Sequence, residues 1–329
     1  MSQFFVVIQR IAAFFAAILA TFMNLSVGNN IIISKDADVQ LSVALVSDTH
    51  VGQEFYRQLT FPSGVKDISR HVKPDVFLCA GDCTDNGNDA NWQAFKEPID
   101  KYLTVKERII ALGNHDTWTS YDGEREYDDA KRNFLTYANE IMGTDFDTVW
   151  FTREIGGYSF IVMGSEDDSV GATISNAQLN WVERELAEAA AKADGKPIFV
   201  INHQPLNFTH TIGENEDGNG FSSSAASDRL LQIMDRYENV FYISGHVHYG
   251  LKTDPEGEPE CYTTIEKVGE HVTSVNLPCY AYGTFFTGGE DVVGQGLVMY
   301  VYKDRVEFKG RNFFLSNWIT AFDVTVPLT

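Results

Sequence analysis

Cysteine is scarce in this chain, and so is positive charge. Four cysteines in 329 residues, at 79, 83, 261 and 279, have neither the density nor the paired spacing of a disulfide scaffold or a thiolate zinc site. Sulfur is therefore not the main chemistry. Cys79, inside the apolar run Val76-Phe77-Leu78, reads as a small buried residue, and a Cys261–Cys279 bridge is the reading only for an exported protein. Lys and Arg total 25 against 46 Asp and Glu, a formal charge of −21. That balance speaks against a reader of DNA or RNA, which gains much of its affinity by neutralising phosphates with basic side chains, so no nucleic-acid partner is expected. No internal repeat is visible. Hydrophobic residues at 44% and charged residues at 22% match globular usage and exclude disordered, collagen-like and coiled-coil classes. The length admits two domains; the reading adopted is one domain over residues 36–329.

One apolar stretch speaks of targeting. From Phe4 to Met23 only Gln9, Arg10 and Thr21 interrupt it, and small residues stand at Ser26 and Gly28. Residues 1–28 read as a signal peptide or an N-terminal membrane anchor, with a packed N-terminal helix as the bland alternative. Either of the first two places the domain outside the cytoplasm, secreted or membrane-anchored. Nothing in the sequence fixes the oligomeric state.

After this leader, short apolar runs recur, and each ends in polar residues able to bind metal. Leu41–Val46 runs into Ser47-Asp48-Thr49-His50, Asp75–Ala80 into Gly81-Asp82, and Arg108–Leu112 into Gly113-Asn114-His115-Asp116. Pro197–Ile201 leads to Asn202-His203, and Val240–Ser244 to Gly245-His246-Val247-His248. Runs without polar alternation read as strands buried on both faces. Ligands gathered at their C-terminal ends occupy the edge where open α/β sheets build sites. Between them, helices are expected from Asn91 to Leu103, from Asp129 to Met142, from Asp228 to Tyr237, and from a Ser175/Gln178 capping box to Asp194-Gly195. Gly296–Val301 and Arg305–Gly310 read as a late hairpin turning at Lys303-Asp304. Gly52–Gly64, Thr117–Tyr127 and Gly213–Ser227 read as loops framing a substrate pocket.

Asp48, His50, Asp82, Asn114, His203, His246 and His248 offer carboxylate, amide and imidazole donors, a mixture suited to Mn, Fe or Zn rather than Ca. Seven donors exceed one tetrahedral ion and suffice for two if a carboxylate bridges, the arrangement used for displacement at phosphorus. Each fragment alone is weak; five at strand ends together are not. Glycine before Asp82, Asn114 and His246 is expected to let the backbone turn sharply off the strand. His210 reads as a solvated loop residue, His71 and His271 as structural or surface residues, and Asp116 as a loop anchor.

Through Asp48-Thr49-His50, Gly81-Asp82-Cys83-Thr84-Asp85, Gly113-Asn114-His115-Asp116, His203 and Gly245-His246-Val247-His248, the sequence resembles the calcineurin-like metallophosphoesterases, most of all bacterial phosphodiesterases of the cyclic-nucleotide type. Purple acid phosphatases carry a Tyr three residues after the bridging Asp and lack the first His; Asp85 and His50 stand there instead. The resemblance implies a four-layer α/β/β/α sandwich, two mixed β-sheets flanked by helices, with two divalent or trivalent transition-metal ions at one edge. By position, one ion takes Asp48, His50, Asp82 and His248, and the other takes Asp82, Asn114, His203 and His246, with Asp82 bridging. A metal-bridging hydroxide then attacks a phosphodiester or phosphomonoester in line, His115 serves as acid or transition-state donor, and Asp85 orients His115. The substrate expected is a small phosphoester, since Glu124, Glu126, Asp128, Asp129, Glu214, Glu216 and Asp217 disfavour long polyanions. The alternatives are a catalytically silent binding protein of the same fold and a nuclease of the same superfamily.

Overall fold

A strand buried on both faces needs no polar alternation, and five apolar runs of this chain have none. All five form strands in the computed structural model, which describes residues 37–52, 55–118, 126–210, 220–251, 263–281 and 293–329, with the backbone alone at 55 and 56. The leader, Cys261, Glu124, Glu214, Glu216 and Asp217 lie outside the described residues. In chain order the first elements are β1 (Leu41–Val46), α1 (Phe55–Asp67) running into a π-helical turn (Ile68–Val72), β2 (Val76–Cys79), α2 (Asp89–Tyr102), β3 (Glu107–Ile110) and α3 (Tyr127–Met142). Then come β4 (Phe151–Ile155), β5 (Tyr158–Val162), α4 (Asn176–Ala193), β6 (Ile198–Ile201), α5 (Ser224–Met234) and β7 (Val240–Ser244). The chain ends with β8 (Ile265–Lys267), β9 (Val272–Asn276), β10 (Gln295–Val301), β11 (Arg305–Asn312) and β12 (Asn317–Pro327).

The strands make two mixed sheets, ordered β12-β11-β10-β1-β2-β3 and β4-β5-β6-β7-β9-β8. β1, β2 and β3 run parallel, as do β5, β6, β7 and β9. The late hairpin forms as expected, closed by the Tyr302 amide donating to the Arg305 carbonyl at 2.9 Å. It enters the first sheet antiparallel to β1, with Leu41 opposite Val301.

Side-chain alternation divides β6 and β7 between two cores. Phe199, Ile201, Phe241 and Ile243 join the cluster that also holds β1, β2, β3 and β10, while Ile198, Val200, Val240 and Tyr242 face the cluster built by α4 and α5. Phe241 reaches Phe308 of the opposite sheet at 5.9 Å between ring centroids, so the sheets pack face to face. α4 covers the outer side with Leu179, Val182, Leu186 and Ala189, a stripe at helical spacing. Its Ser175 cap accepts from the Gln178 amide as the pattern predicts, but the Gln178 side chain turns inward to bond both main-chain groups of Gly164.

Two expected loops are partly helical. The Gly52–Gly64 segment is helix from Phe55 onward, despite Pro62 and Gly64. That glycine serves close packing: a Cβ there would sit 2.1 Å from the Tyr280 hydroxyl, which donates to the Thr60 carbonyl. The Gly213–Ser227 segment gives way to α5 at Ser224, where the Ser223 side chain accepts from the Ala226 amide. Among the described residues, no helix is long and apolar enough to cross a membrane.

Candidate metal centre

The C-terminal ends of β1, β2 and β3 in one sheet and of β6 and β7 in the other deliver their following loops to one place. Hydrogen bonds join the sheets there, among them His203 Nδ1 donating to the Ala80 carbonyl at 2.9 Å and the Asp48 carboxylate accepting from the His246 amide at 3.0 Å. The turns are severe. Asp48, His50, Asp82, His246 and His248 all adopt left-handed backbone, with φ of 54°, 41°, 48°, 77° and 56°, a conformation that costs a non-glycine residue on the order of 1–3 kcal/mol. The preceding glycines have two different purposes. Gly81 has φ of 100° and makes the expected turn, whereas Gly113 and Gly245 are absent from the positive-φ residues and are required by close approach. A Cβ on Gly113 would lie 2.1 Å from the Asp82 amide nitrogen, and one on Gly245 2.0 Å from Ser47 Oγ.

The donors converge. Asp48, His50, Asp82 and His248 present ligand atoms within 4.8 Å of one another, and so do Asp82, His203 and His246, with Asp82 common to both groups. His248 Nε2 lies 3.1 Å from Asp48 Oδ1, His203 Nε2 lies 3.2 Å from Asp82 Oδ2, and the Nε2 atoms of His50 and His248 face each other at 3.0 Å. Asp82 Oδ1 accepts the His115 amide at 2.8 Å, which turns Oδ2 into the cluster. Asp82 Oδ2, Asn114 Oδ1 and His203 Nε2 are buried with no hydrogen-bond partner. Asp82 and His203 belong to one donor group, and orphaned buried groups of the types transition metals prefer fit a metal centre better than a polar network, because an unsatisfied buried polar group costs about 1–3 kcal/mol.

The electrostatics call for positive charge at this point. Burial by itself would lower the pKa of His203, yet the flanking Asp82 and Asp48 carboxylates raise it to about 10. Burial opposes ionisation of Asp82 too, but His203 and then His115 hold it well below the usual carboxylate range. His50 and His246, chiefly through burial, fall to about 4 and about 3, so both are neutral at pH 7 and able to offer a lone pair.

His115 stands half-buried at the edge of the cluster, its ring 4.5 Å from that of His50 and 4.1 Å from that of Trp118. Its Nδ1 bonds the main-chain carbonyl of Asp85 at 2.8 Å, so Nδ1 carries the hydrogen. The Asp85 carboxylate goes elsewhere, 2.5 Å from Arg57 Nη1 and 3.7 Å from His50 Nδ1. Asp116 is the loop anchor expected: its carboxylate accepts the amides of Gly113, Cys83 and Thr84 and the Thr84 hydroxyl, tying the Asp82 loop to the Asn114 loop. His210, expected in solvent, is fully buried, bonded to the Thr263 carbonyl and Ser274 Oγ at 2.7 and 2.8 Å. Two contributors carry no sequence signal. One is Arg57, in a segment that reads as loop. The other is the stretch after β9, where the Tyr280 and Ala281 amides donate to the Ser47 and Asp48 carbonyls, and the Cys279 amide to that of Tyr249.

Comparison with known proteins agrees with this architecture. The chain is 30% identical over 217 residues to a probable glycerophosphodiester phosphodiesterase, GpdQ, of Arcobacter nitrofigilis, covering 63% of this chain and 71% of that protein. It is 26% identical over 208 residues to a probable inactive purple acid phosphatase of Arabidopsis thaliana, of which it spans 32%, about a third. Among solved structures, GAP50, the anchor in the inner membrane complex of Plasmodium, has the same fold at 16% identity, with a TM-score of 0.54 over 88% of this chain and 89% of that one. Residues 41–250 match the calcineurin-like phosphoesterase family. Those residues contain all six clustered Asp and His donors and Asn114, and the chain belongs to the calcineurin-like phosphoesterase family.

Proposed function

We propose that the chain is a two-metal phosphoester hydrolase acting on a small phosphodiester. The observation that carries this reading is the shared carboxylate: Asp82 belongs to both donor groups, and its inward oxygen is buried without a hydrogen-bond partner. Asp48, His50, Asp82 and His248 would hold one ion, and Asp82, Asn114, His203 and His246 the other. Transition ions bound there supply a nucleophile at neutral pH and offset charge developing on the phosphoryl oxygens. The chain's own part is to orient and to move a proton. The Ala80 carbonyl fixes the His203 ring through Nδ1, and the Asp85 carbonyl fixes His115 in the same way, which leaves His115 Nε2 to protonate a departing alkoxide. Asp116, by gripping both loops, keeps His115 at its station beside Asp82.

Support for a diester comes from the likeness to a probable glycerophosphodiester phosphodiesterase; support for a small substrate comes from the net charge of −21. The name of the second relative, a probable inactive phosphatase, favours a silent binding protein as the second reading. The complete donor set and His115 weigh against it. We place the protein outside the cytoplasm, on the strength of the apolar leader at residues 1–28. The test is hydrolysis of bis(4-nitrophenyl) phosphate and 4-nitrophenyl phosphate side by side, with Mn, Zn, Fe or Ca added to metal-stripped protein. Turnover of the diester with a transition ion is the result expected. No turnover of either compound with any ion supports the silent reading instead.

A further inference from the structure

His50 is held from outside the donor cluster by a second pair of charged residues. Arg57, in the first turn of α1, is almost wholly buried, and its single Nη1 donates to the His50 carbonyl at 3.0 Å and to Asp85 Oδ1 at 2.5 Å. The same carboxylate oxygen lies 3.7 Å from His50 Nδ1. One guanidinium nitrogen thus fixes the main chain of His50 and the charge that faces its ring. The main-chain bond matters because His50, with φ of 41°, occupies a backbone conformation that persists only where its surroundings impose it. The charge matters because 3.7 Å is too long for a hydrogen bond but close enough to favour the tautomer with hydrogen on Nδ1. That tautomer turns the Nε2 lone pair toward Asp48, Asp82 and His248.

We propose that Arg57 and Asp85 are positioning residues for His50: Arg57 locks the Asp85 carboxylate against the outer face of the imidazole, so that Nε2 is aimed and tautomerically ready for the first ion. This assignment rests on the two-metal reading and extends it. It also gives the Asp85 carboxylate a task beyond that implied by sequence position, since His115 Nδ1 donates to the Asp85 main-chain carbonyl while the carboxylate lies in one group with His50 and His115. Partners of this kind, one shell out from a metal-bound imidazole, typically change metal affinity by about 10–100-fold.

The test is titration of metal-stripped full-length protein with Mn(II), with free ion counted by electron paramagnetic resonance, for the native chain, Arg57→Met, Asp85→Asn and the double variant. The native chain takes up two ions. In either single variant one ion weakens about 10–100-fold while the other stays within about threefold, and the double variant is no worse than the weaker single. Asp85 is 28% exposed at its side chain, so Asp85→Asn folds and decides the question even if Arg57→Met does not. Native affinity for both ions in Asp85→Asn overturns the assignment, as does equal weakening of both. A native chain that takes up no second ion overturns the two-metal reading itself, and this assignment with it.

Discussion

Left-handed backbone at Asp48, His50, Asp82, His246 and His248 is strain concentrated on the residues that converge, held in place by rigid strands behind them. Residue types and their order were legible: seven oxygen and nitrogen donors after apolar runs read directly as a candidate cluster, and the structure brings the six Asp and His among them within ligand reach of one another. Backbone strain was not legible, because positive φ is uncommon at any non-glycine residue, even though Asp and His adopt it more often than most. The first contact of the Asp85 carboxylate was not legible for a similar reason. Its partner, Arg57, arrives from a helix that Pro62 and Gly64 disguise. Two predictions belong at this scale. His203, raised to about 10 by Asp82 and Asp48 against the effect of burial, is protonated at pH 8 in the metal-free protein. The proton's contribution to stability is complete below the ordinary histidine pKa and is lost as pH rises through 10. A binding ion must displace that proton. Calorimetric Mn(II) titrations at pH 8 in buffers of different ionisation enthalpy therefore show about one proton released, and affinity that rises with pH; buffer-independent heats contradict this. His115→Asn lowers kcat for bis(4-nitrophenyl) phosphate by about 10²–10⁴-fold with metal content unchanged, whereas unaltered turnover removes His115 from the chemistry.

Short runs buried on both faces were the most legible elements, and β1, β2, β3, β6 and β7 fall within a residue or two of their apolar stretches. Three of the four edge strands were not. β8 and β12 are partly exposed, and β4 carries Thr152, Arg153 and Glu154 between its buried ends, so no continuous apolar run marks them. Loops ending the inner strands carry the site, and their spacing is set by contacts that admit no extra atom. Gly113→Ala, which forces a methyl against Asp82, is expected to cost about 1–3 kcal/mol and to lower Mn(II) affinity, read by thermal melting and metal titration; a melting temperature and affinity equal to native values refute the close-approach account. Ser175→Ala, which removes the α4 cap far along the chain from the donors, costs about 1 kcal/mol and leaves kcat untouched. A fall in kcat there would mean that α4 has a part in the site that the described contacts do not give it.

At the scale of the whole molecule, the two sheets are joined by a core that runs from Val43 to Phe308 and by a polar edge of Asp and His groups able to hold metal. The fold class was legible through the family resemblance that five strand-end fragments carry; the share taken by the last third of the chain was not. Asn276 Nδ2 donates to the Gly245 carbonyl at 2.6 Å, and Tyr280 and Ala281 pair with the Asp48 loop, although none of these lies within the family match at 41–250. Because bound ions stabilise only the folded chain, exhaustive chelation lowers the melting temperature by several degrees, following about 2.7 kcal/mol per ion at a hundredfold excess over Kd. Readdition of Mn(II) restores it; a melting curve indifferent to chelator speaks against a structural linkage between site and fold. The most direct measurement is metal stoichiometry by inductively coupled plasma mass spectrometry on protein reconstituted with Mn(II) and freed of loose ions. Two ions per chain, falling to one in His203→Ala, is the predicted result, and one ion or fewer in the native chain contradicts it.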